Sequence, residues 1–392
     1  MNRSDAAIYL DYQATTPTDP RVLDRMLPWF TERFGNPHSA EHRHGWEAAE
    51  ATDAARRQTG RLIGASAKEI TFTSGATEAN NLAVIGAARA SAAGSGRRRV
   101  ITLATEHACV LESARSLRRE GFEVVELPVD GAGMLDPETL RAALDDGTAL
   151  VSVMAVNNEI GVTQPLAEIG RLCREAGALF HTDAAQAVGK IPLDVREIGA
   201  ALVSISGHKI YGPKGVGALF VRRRPRVPIE PLIHGGGQER GLRSGTLAPA
   251  LCVGLGAACE IAASEMEAEA ARLAIFRDRF LARLRDGVPD LVVNGSLENR
   301  IPGNLNVTFP GIEANELMAA LDGVAVSSGS ACSSGAGKPS HVLQAIGLDP
   351  ARVQATVRIG FGRFTTTEEV DTASRHVVET ARRLAKRFRA AS

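Results

Sequence analysis

The sequence lacks an excess of charge of either sign. Lys plus Arg and Asp plus Glu both number 45, so no overall basic surplus points to nucleic acid or to an acidic membrane surface. No apolar run approaches the ~20 residues of a membrane-spanning helix, and the first residues carry no secretory signal. We therefore expect a protein that binds neither a membrane nor, directly, nucleic acid.

Cysteine is also scarce. The five cysteines form an odd, unclustered set, which is typical of reduced thiols in the cytoplasm: Cys109, Cys173, Cys252, Cys259 and Cys332. The paired spacings of zinc ligands are absent, so no metal site is predicted. Four of the cysteines lie in apolar or helical patterns and are expected in the core, whereas Cys332 lies in a Gly/Ser loop.

The overall composition is that of a globular protein. Hydrophobic residues make up 44% and charged residues 23% of 392 residues, which excludes a disordered protein, and the 39 glycines show no collagen period. No internal repeat is visible. This length suggests two domains, or a large domain with a smaller one.

Short β-branched runs alternate with amphipathic stretches over the first two thirds of the chain, which predicts a mostly parallel sheet covered on both faces. The predicted strands are 69–73, 100–104, 122–127, 149–155, 178–182, 201–206 and 217–221, and helical stretches between them include 76–93, 108–120 and 165–176.

From about residue 257 the pattern changes to a long helix followed by an α+β region. That region has predicted strands at 304–309, 324–328 and 355–361, a helix near 339–346 and a closing helix from 367. We predict a large domain over 15–257 and a small domain formed by 1–14 and 258–392, which carries the Cys332 loop.

A segment typical of anion binding follows the first predicted strand. TSGATEANN (73–81) places Gly75 at a tight turn and opens a helix at Ala76 and Thr77. Unpaired N–H groups at a helix start, with a Thr hydroxyl, suit a phosphate. An ordinary strand-to-helix turn capped by Thr explains the same residues.

Two further motifs place charged residues at the carboxyl ends of strands, where open α/β sheets bind ligands. In FHTDAAQAVGK (180–190), Asp183 is suited to hold a protonated ring nitrogen, or it is simply a helix cap. In SISGHKIYGPKG (204–215), Lys209 is a Schiff-base candidate and Ser206 and His208 are potential phosphate donors. A solvated loop lysine is the alternative for Lys209, and Lys214 is expected to be exposed.

Three other segments carry potential chemistry. His107, after the strand 100–104, is suited to stack on a planar cofactor and to act as an acid or base. The Gly-rich stretch 234–246, with Arg240, Arg243 and Thr246, is either an anion binder or a surface loop. Cys332 in SSGSACSSG (327–335) is poorly placed for packing, so we interpret it as a reactive thiol.

Together these motifs resemble the cysteine desulfurases of the NifS/IscS-like branch of the class-V aminotransferases. The resemblance runs almost from end to end, through YLDYQATTP (9–17), FGNPHS (34–39), TSGATEANN, TEH, VNNEIG (156–161), HTDAAQ, SGHKIYGPKG, GGGQERGLRSGT, SSGSAC and VRIGFGRFTTTEEVD (357–371). It implies a pyridoxal-phosphate-dependent transferase of fold type I, like aspartate aminotransferase, which acts on L-cysteine as a homodimer.

The resemblance also implies a role for each matching residue. Lys209 matches the Schiff-base lysine, Cys332 the sulfur-accepting cysteine, His107 the ring-stacking histidine and Arg358 the substrate-carboxylate arginine, with Arg363 a weaker candidate for that last role. The remaining cofactor-binding matches are Asp183 for the ring nitrogen, Gln186 and Asn158 for the ring-oxygen side, Ala76, Thr77, Ser206 and His208 for the phosphate, and Thr246 for the phosphate of the other subunit.

Two features differ from the IscS-like pattern, namely Lys338, where a Glu is common, and the short tail RRLAKRFRAAS. The short tail puts a scaffold partner of the IscS type in doubt and favours a NifS-like or specialised role. The sulfur acceptor is left open among iron–sulfur assembly, nitrogenase maturation and tRNA or DNA thiolation, because all of these would use the same catalytic residues. Two rivals also remain. An aminotransferase or other lyase on the same fold needs Lys209 but not Cys332, and a non-catalytic iron–sulfur scaffold needs several convergent cysteines.

Overall fold

The computed structural model describes residues 7–328 and 339–391. Its strands are β1 Ile8–Tyr9, β2 Ile70–Thr73, β3 Arg99–Leu103, β4 Glu123–Leu127, β5 Thr148–Ser152, β6 Leu179–Asp183, β7 Leu202–Ser206, β8 Gly217–Val221, β9 Val292–Val293, β10 Asn304–Thr308, β11 Val324–Ala325 and β12 Thr356–Gly360.

The helices surround these strands. They are α1 Pro20–Met26, α2 Pro28–Thr31, α3 Arg43–Leu62, α4 Ala76–Asn81, α5 Ala87–Ser95, α6 Ala108–Ser116, α7 Pro137–Ala143, α8 Leu166–Glu175, α9 Pro249–Gly287, α10 Ala314–Ala320, α11 His341–Ala345, α12 Pro350–Gln354 and α13 Thr367–Ala391. A π-helical turn, Leu82–Gly86, joins α4 to α5.

A seven-stranded sheet with the order β2-β8-β7-β6-β5-β3-β4 forms the centre of the larger part of the fold. Only β8 runs antiparallel to its neighbours, and the other pairs are parallel. Every residue of β2, β5, β7 and β8 is buried, because helices cover both faces. The predicted α/β class with a mostly parallel sheet is confirmed.

A second hydrophobic core lies around the antiparallel sheet β12-β10-β9. The distal half of α9, which includes Leu273 and Phe280, packs there with α13. The N-terminal segment belongs to the same core, since Leu10 is fully buried in it and β1 pairs in parallel with β11. This segment runs from the second core towards the cavity described below.

Helix α9 begins at Pro249 and not near residue 257, so that prediction was wrong. Its first turns consist of small residues that pack closely on α3 and show little helical hydrophobic pattern. A Cβ added at Gly256 would lie 2.6 Å from Ala55 Cα, so this crossing needs glycine. The predicted boundary at 257/258 lies inside α9, which contributes Leu255 to the first core and Leu273 to the second.

Helix α9 is long enough and apolar enough to span a membrane, judged by its length and composition alone. No other helix in the described part of the chain meets both conditions. Of its most apolar window, 56% is buried inside the molecule, and the helix as a whole packs mainly against α3, α13 and α1. Packing within the fold accounts for this hydrophobicity.

Candidate active site

A cavity of about 500 Å³ lies where the carboxyl ends of β5, β6 and β7 meet. This volume is in the range of small-molecule sites. The cavity brings together most of the residues predicted from the sequence: Ala76, Thr77, His107, Asn158, Asp183, Gln186, Ser206, His208 and Lys209. Lys214, exposed as predicted, lies at its edge.

Asp183 is the last residue of β6 and its side chain is buried. Asn80 Nδ2 donates to Asp183 Oδ2 at 2.7 Å, and the backbone N–H of Ala185 donates to Oδ1 at 2.9 Å. These two donors fix the direction of the carboxylate. Asn80 was not singled out from the sequence, although it lies one helical turn after Ala76 on α4.

Lys209 ends a short 3₁₀ turn directly after β7 and is half-buried. Its Nζ donates to the carbonyl oxygens of Gln13 at 2.6 Å and Ala14 at 2.7 Å. The N-terminal segment therefore holds the amine in the cavity. Because backbone carbonyls carry no side-chain signature, the sequence did not show this contact.

His107 is the N-cap residue of α6 and forms one wall of the cavity. The backbone N–H of Cys109 donates to His107 Nδ1 at 3.2 Å, so the neutral ring carries its proton on Nε2. Burial lowers the pKa of His107, although the charge of Asp183 opposes this effect. The ring is therefore neutral near pH 7 and presents an Nε2–H donor.

Cys109 was expected in the core, and this prediction was wrong, since the residue is only partly buried and lines the cavity. Its Sγ lies 3.0 Å from His107 Nδ1 and accepts from Asn80 Nδ2 at 3.2 Å. The residue is the second of the helix that His107 caps, and that position turns its side chain to the cavity. Cys173, Cys252 and Cys259 are buried as predicted.

The end of the cavity near α4 suits an anion. Gly75, with φ +151°, lets the chain turn into α4, and a Cβ added there would meet no atom within 4 Å. The first N–H groups of α4 lack intrahelical acceptors. Thr77, Ser206 and His208 add side-chain donors. Burial and the nearby lysines Lys209 and Lys214 lower the pKa of His208 to about 4, so it is neutral.

Arg358 and Thr246 do not line this cavity. Arg358 is fully buried on β12 and donates to Asp11 Oδ1 at 2.7 Å and to the carbonyl of Asn158, a cavity residue, at 2.9 Å. Arg358 Nε has no hydrogen-bond partner among the described residues. Arg363 is committed elsewhere, because it forms ion pairs with Asp19 and Glu269.

The arginines of the Gly-rich stretch 234–246 bind to other residues of the same chain. Arg240 donates to the carbonyl of Ile70 at 2.7 Å, and Arg243 pairs with Glu78 on α4 at 2.8 Å. These contacts place the stretch beside the anion-binding end of the cavity. Thr246 itself is exposed.

Cys332 lies outside the described residues, but both flanks of its loop are described. Ser327 exchanges backbone hydrogen bonds with Arg358 and donates its Oγ to Asp11 Oδ1 at 3.0 Å. On the other side, Ser340 Oγ donates at 2.5 Å to Glu159, whose pKa burial raises to about 7. The loop therefore starts and ends beside residues that adjoin the cavity.

These features fit a planar, phosphorylated cofactor. Anion donors lie at one end, a carboxylate suited to a cationic ring nitrogen lies on the floor, and an amine and a neutral aromatic ring lie between them. Gln186 and Asn158 provide further polar groups. Within 7–328 and 339–391, no group of three His, Cys, Asp or Glu side chains is arranged to hold a metal ion.

Comparison with known proteins agrees with this geometry. The family model for class-V aminotransferases matches residues 8–372. The cysteine desulfurase IscS of Rickettsia felis is 53% identical over 373 residues, covering 95% of this chain and 90% of that protein. The cysteine desulfurase of Homo sapiens is 54% identical over 377 residues, covering 96% and 82%. A solved NifS-like protein matches with a TM-score of 0.88 at 38% identity, covering 95% and 98%.

Proposed function

The chain belongs to the class-V aminotransferase family, and from this premise we propose that it is a pyridoxal-phosphate-dependent cysteine desulfurase. It converts L-cysteine to L-alanine and leaves the sulfur as a persulfide on Cys332. One observation carries the proposal: Lys209, Asp183 and His107 line a single cavity, and both ends of the Cys332 loop are attached beside that cavity.

The cofactor would be held by residues of the described cavity. Asp183, oriented by Asn80, would accept from the ring nitrogen, and His107 would provide an aromatic face for the ring. The phosphate would be bound by the start of α4 and the side-chain donors beside it: Thr77, Ser206 and His208. When bound, pyridoxal phosphate supplies an electron sink and a carbonyl group that reacts with amines.

The chain's own groups then bind the substrate and move its protons. Arg358, the arginine that the resemblance assigns to the substrate carboxylate, is held beside the cavity by Asp11 and by the carbonyl of the cavity residue Asn158. Lys209 Nζ takes the Cα proton of the substrate. His107 Nε2–H, whose position is set by the Cys109 contact at Nδ1, would offer a hydrogen bond to the reacting groups in the cavity.

The sulfur transfer requires no external oxidant. The Cys332 thiolate attacks the substrate sulfur, an S–S bond forms and the Cβ–S bond breaks. The electron pair of the broken bond goes to Cβ, which is then protonated, so that alanine leaves and the enzyme holds the persulfide. A reductant or an acceptor thiol later removes the sulfur. Reduced thiols are needed throughout, which agrees with a cytoplasmic location.

We expect the purified protein, reconstituted with pyridoxal phosphate, to form alanine and sulfide in equal amounts from L-cysteine and dithiothreitol. Alanine measured by chromatography and sulfide measured by methylene blue give the ratio. Transfer of the amino group to an added keto acid, without sulfide, would overturn the proposal in favour of an aminotransferase. A protein with no cofactor absorbance and no turnover would overturn it in favour of a scaffold.

The proposal includes a homodimer in which Thr246 binds the phosphate in the partner's cavity. Thr246 is exposed and does not line its own chain's cavity. The Arg243–Glu78 ion pair nevertheless holds the stretch 234–246 beside α4, at the anion-binding end. An exposed hydroxyl at that place is suited to a second copy of the same site.

A shared site predicts complementation between two inactive variants. Lys209→Ala chains and Thr246→Asp chains are inactive alone, since one lacks the amine and the other repels the phosphate. In a randomly exchanged equal mixture, half of the dimers are mixed and each has one intact site, so activity should recover to about a quarter of the wild-type value. Differently tagged chains verify the exchange. No recovery in verified mixed dimers would contradict the shared site.

The acceptor of the sulfur is a separate part of the proposal. Several relatives carry the name IscS, and the persulfide of Cys332 suits any acceptor that offers a thiolate. We propose that the acceptor belongs to iron–sulfur assembly or to another thiolation pathway. This protein itself would contact neither nucleic acid nor a membrane.

A further inference from the structure

A second, partly buried lysine, Lys190, lies next to the cavity and has no part in the chemistry described so far. Its Nζ donates to Gln186 Oε1 at 2.5 Å. Gln186 Nε2 in turn donates to the carbonyl of Gln13 at 2.8 Å, the same carbonyl that accepts from Lys209. A continuous chain of hydrogen bonds therefore joins Lys190 to the cavity.

The position is an unfavourable one for a lysine. Burial, reinforced by the charge of Lys209, lowers the pKa of Lys190 to about 7. Lysine is among the residues that are least often buried, because its charged form loses hydration. The amine of this partly buried side chain nevertheless bonds to Gln186, and that contact calls for a reason.

The chemistry of the carboxamide supplies this reason. A Gln amide has one acceptor end and one donor end, and the two have nearly the same shape, so that its hydrogen bonds decide which way it points. A lysine ammonium can only donate. In the structure Lys190 Nζ donates to Oε1 of Gln186, and this contact sets Nε2 at the other end of the amide.

The Nε2 group of Gln186 carries two N–H bonds. One donates to Gln13, and the other has no acceptor among the described residues, although Gln186 lines the cavity. A flipped amide would place Oε1 against the Gln13 carbonyl, which is a repulsive contact between two acceptors. The orientation seen in the structure leaves a donor for a ligand in the cavity.

We propose that Lys190 is a positioning residue, which holds the Gln186 amide so that its Nε2–H donates to the ring oxygen of the cofactor. This inference rests on the proposed function, because it assumes pyridoxal phosphate in the cavity. Lys190 acts through Gln186 and touches neither cofactor nor substrate. Its loss removes one of the two described contacts that hold this orientation and leaves only the Gln13 carbonyl to oppose a turn that would set Oε1 against the ring oxygen.

The test measures cofactor affinity rather than turnover. Apo protein is titrated with pyridoxal phosphate and followed by absorbance, for wild type, Lys190→Met, Gln186→Leu and the double variant. We expect Lys190→Met to bind about 10- to 100-fold more weakly, which corresponds to the loss of one hydrogen bond that involves a charged group. The double variant should bind no more weakly than Gln186→Leu alone, because both changes remove the same interaction.

Two further variants separate positioning from folding. Lys190→Arg, which also can only donate, should bind the cofactor close to the wild-type level. Lys68→Met, a change at an exposed lysine on the far side of β2, is the matched control and should have no effect. If Lys190→Met does not fold, Lys190→Gln replaces it in the titration. A glutamine amide can both donate and accept, so it does not fix the orientation of Gln186.

The outcomes also separate this inference from the proposed function. A wild-type protein that binds no pyridoxal phosphate would overturn both. A wild-type protein that binds it and releases alanine, together with an unchanged Lys190→Met affinity, would overturn only the role of Lys190. Additive losses in the double variant would do the same, because they would show that Lys190 acts independently of Gln186.

Discussion

Replacing Lys209 with alanine is expected to lower the rate of alanine formation from L-cysteine by about 10⁴-fold or more, since one amine serves as nucleophile and as proton carrier. The structure holds this amine between the carbonyls of Gln13 and Ala14, so no other lysine amine occupies its place. The neighbouring Lys190 is engaged with Gln186 and does not line the cavity.

Two measurements distinguish loss of chemistry from loss of fold. Borohydride reduction followed by mass spectrometry should trap the cofactor on the peptide that contains Lys209 in the wild type, and no covalent adduct should form in Lys209→Ala. Thermal unfolding of the apo variant should stay near the wild-type value, because a half-buried side chain is shortened without opening the core. Near-normal alanine formation by Lys209→Ala would refute the assignment, and Lys68→Ala serves as the control substitution.

The sheet was predictable from the sequence because its strands are short β-branched runs that end in Gly-rich or polar turns. The run predicted at 217–221 is β8, and the run at 201–206 differs from β7 by one residue. These strands are buried on both faces, so hydrophobicity and length identify them directly. Predicting the strands also predicted the edge of the sheet at which Asp183, Lys209 and His107 meet.

The groups that orient Asp183 and Lys209 were not predictable in the same way. Asn80 reaches Asp183 across 103 residues, and the Gln13 carbonyl reaches Lys209 across 196, so both contacts exist only after the fold has formed. Asn and Lys are also common surface residues, and nothing local marks Asn80 as buried or Lys190 as bonded to Gln186. The start of α9 was not predictable for a similar reason. Its small residues form a helix because they pack closely on α3, and they show no strong apolar pattern that would mark a helix in the sequence.

Replacing Cys332 with serine is expected to stop sulfur transfer while leaving cofactor binding intact. Cys332 is five residues from Ser327, which is attached to Asp11 and Arg358, and an extended chain of that length reaches at most about 17 Å. The described start of the loop is therefore attached at Arg358, the arginine proposed for the substrate carboxylate. A serine hydroxyl is a far weaker nucleophile toward sulfur and cannot hold a persulfide, so we expect alanine formation to fall by at least ~10³-fold.

Cys109 is the rival acceptor, because it lines the cavity beside His107. Burial, with the charge of Asp183 added, raises the pKa of its thiol to about 12, so that at neutral pH almost none of it is thiolate, the form that attacks sulfur. Wild-type protein treated with L-cysteine should therefore gain one sulfur on the peptide that contains Cys332 and none on the peptide that contains Cys109. Mass spectrometry of the two peptides decides between them. Sulfur on Cys109, or normal alanine release by Cys332→Ser, would mean that the Cys332 loop is not the acceptor.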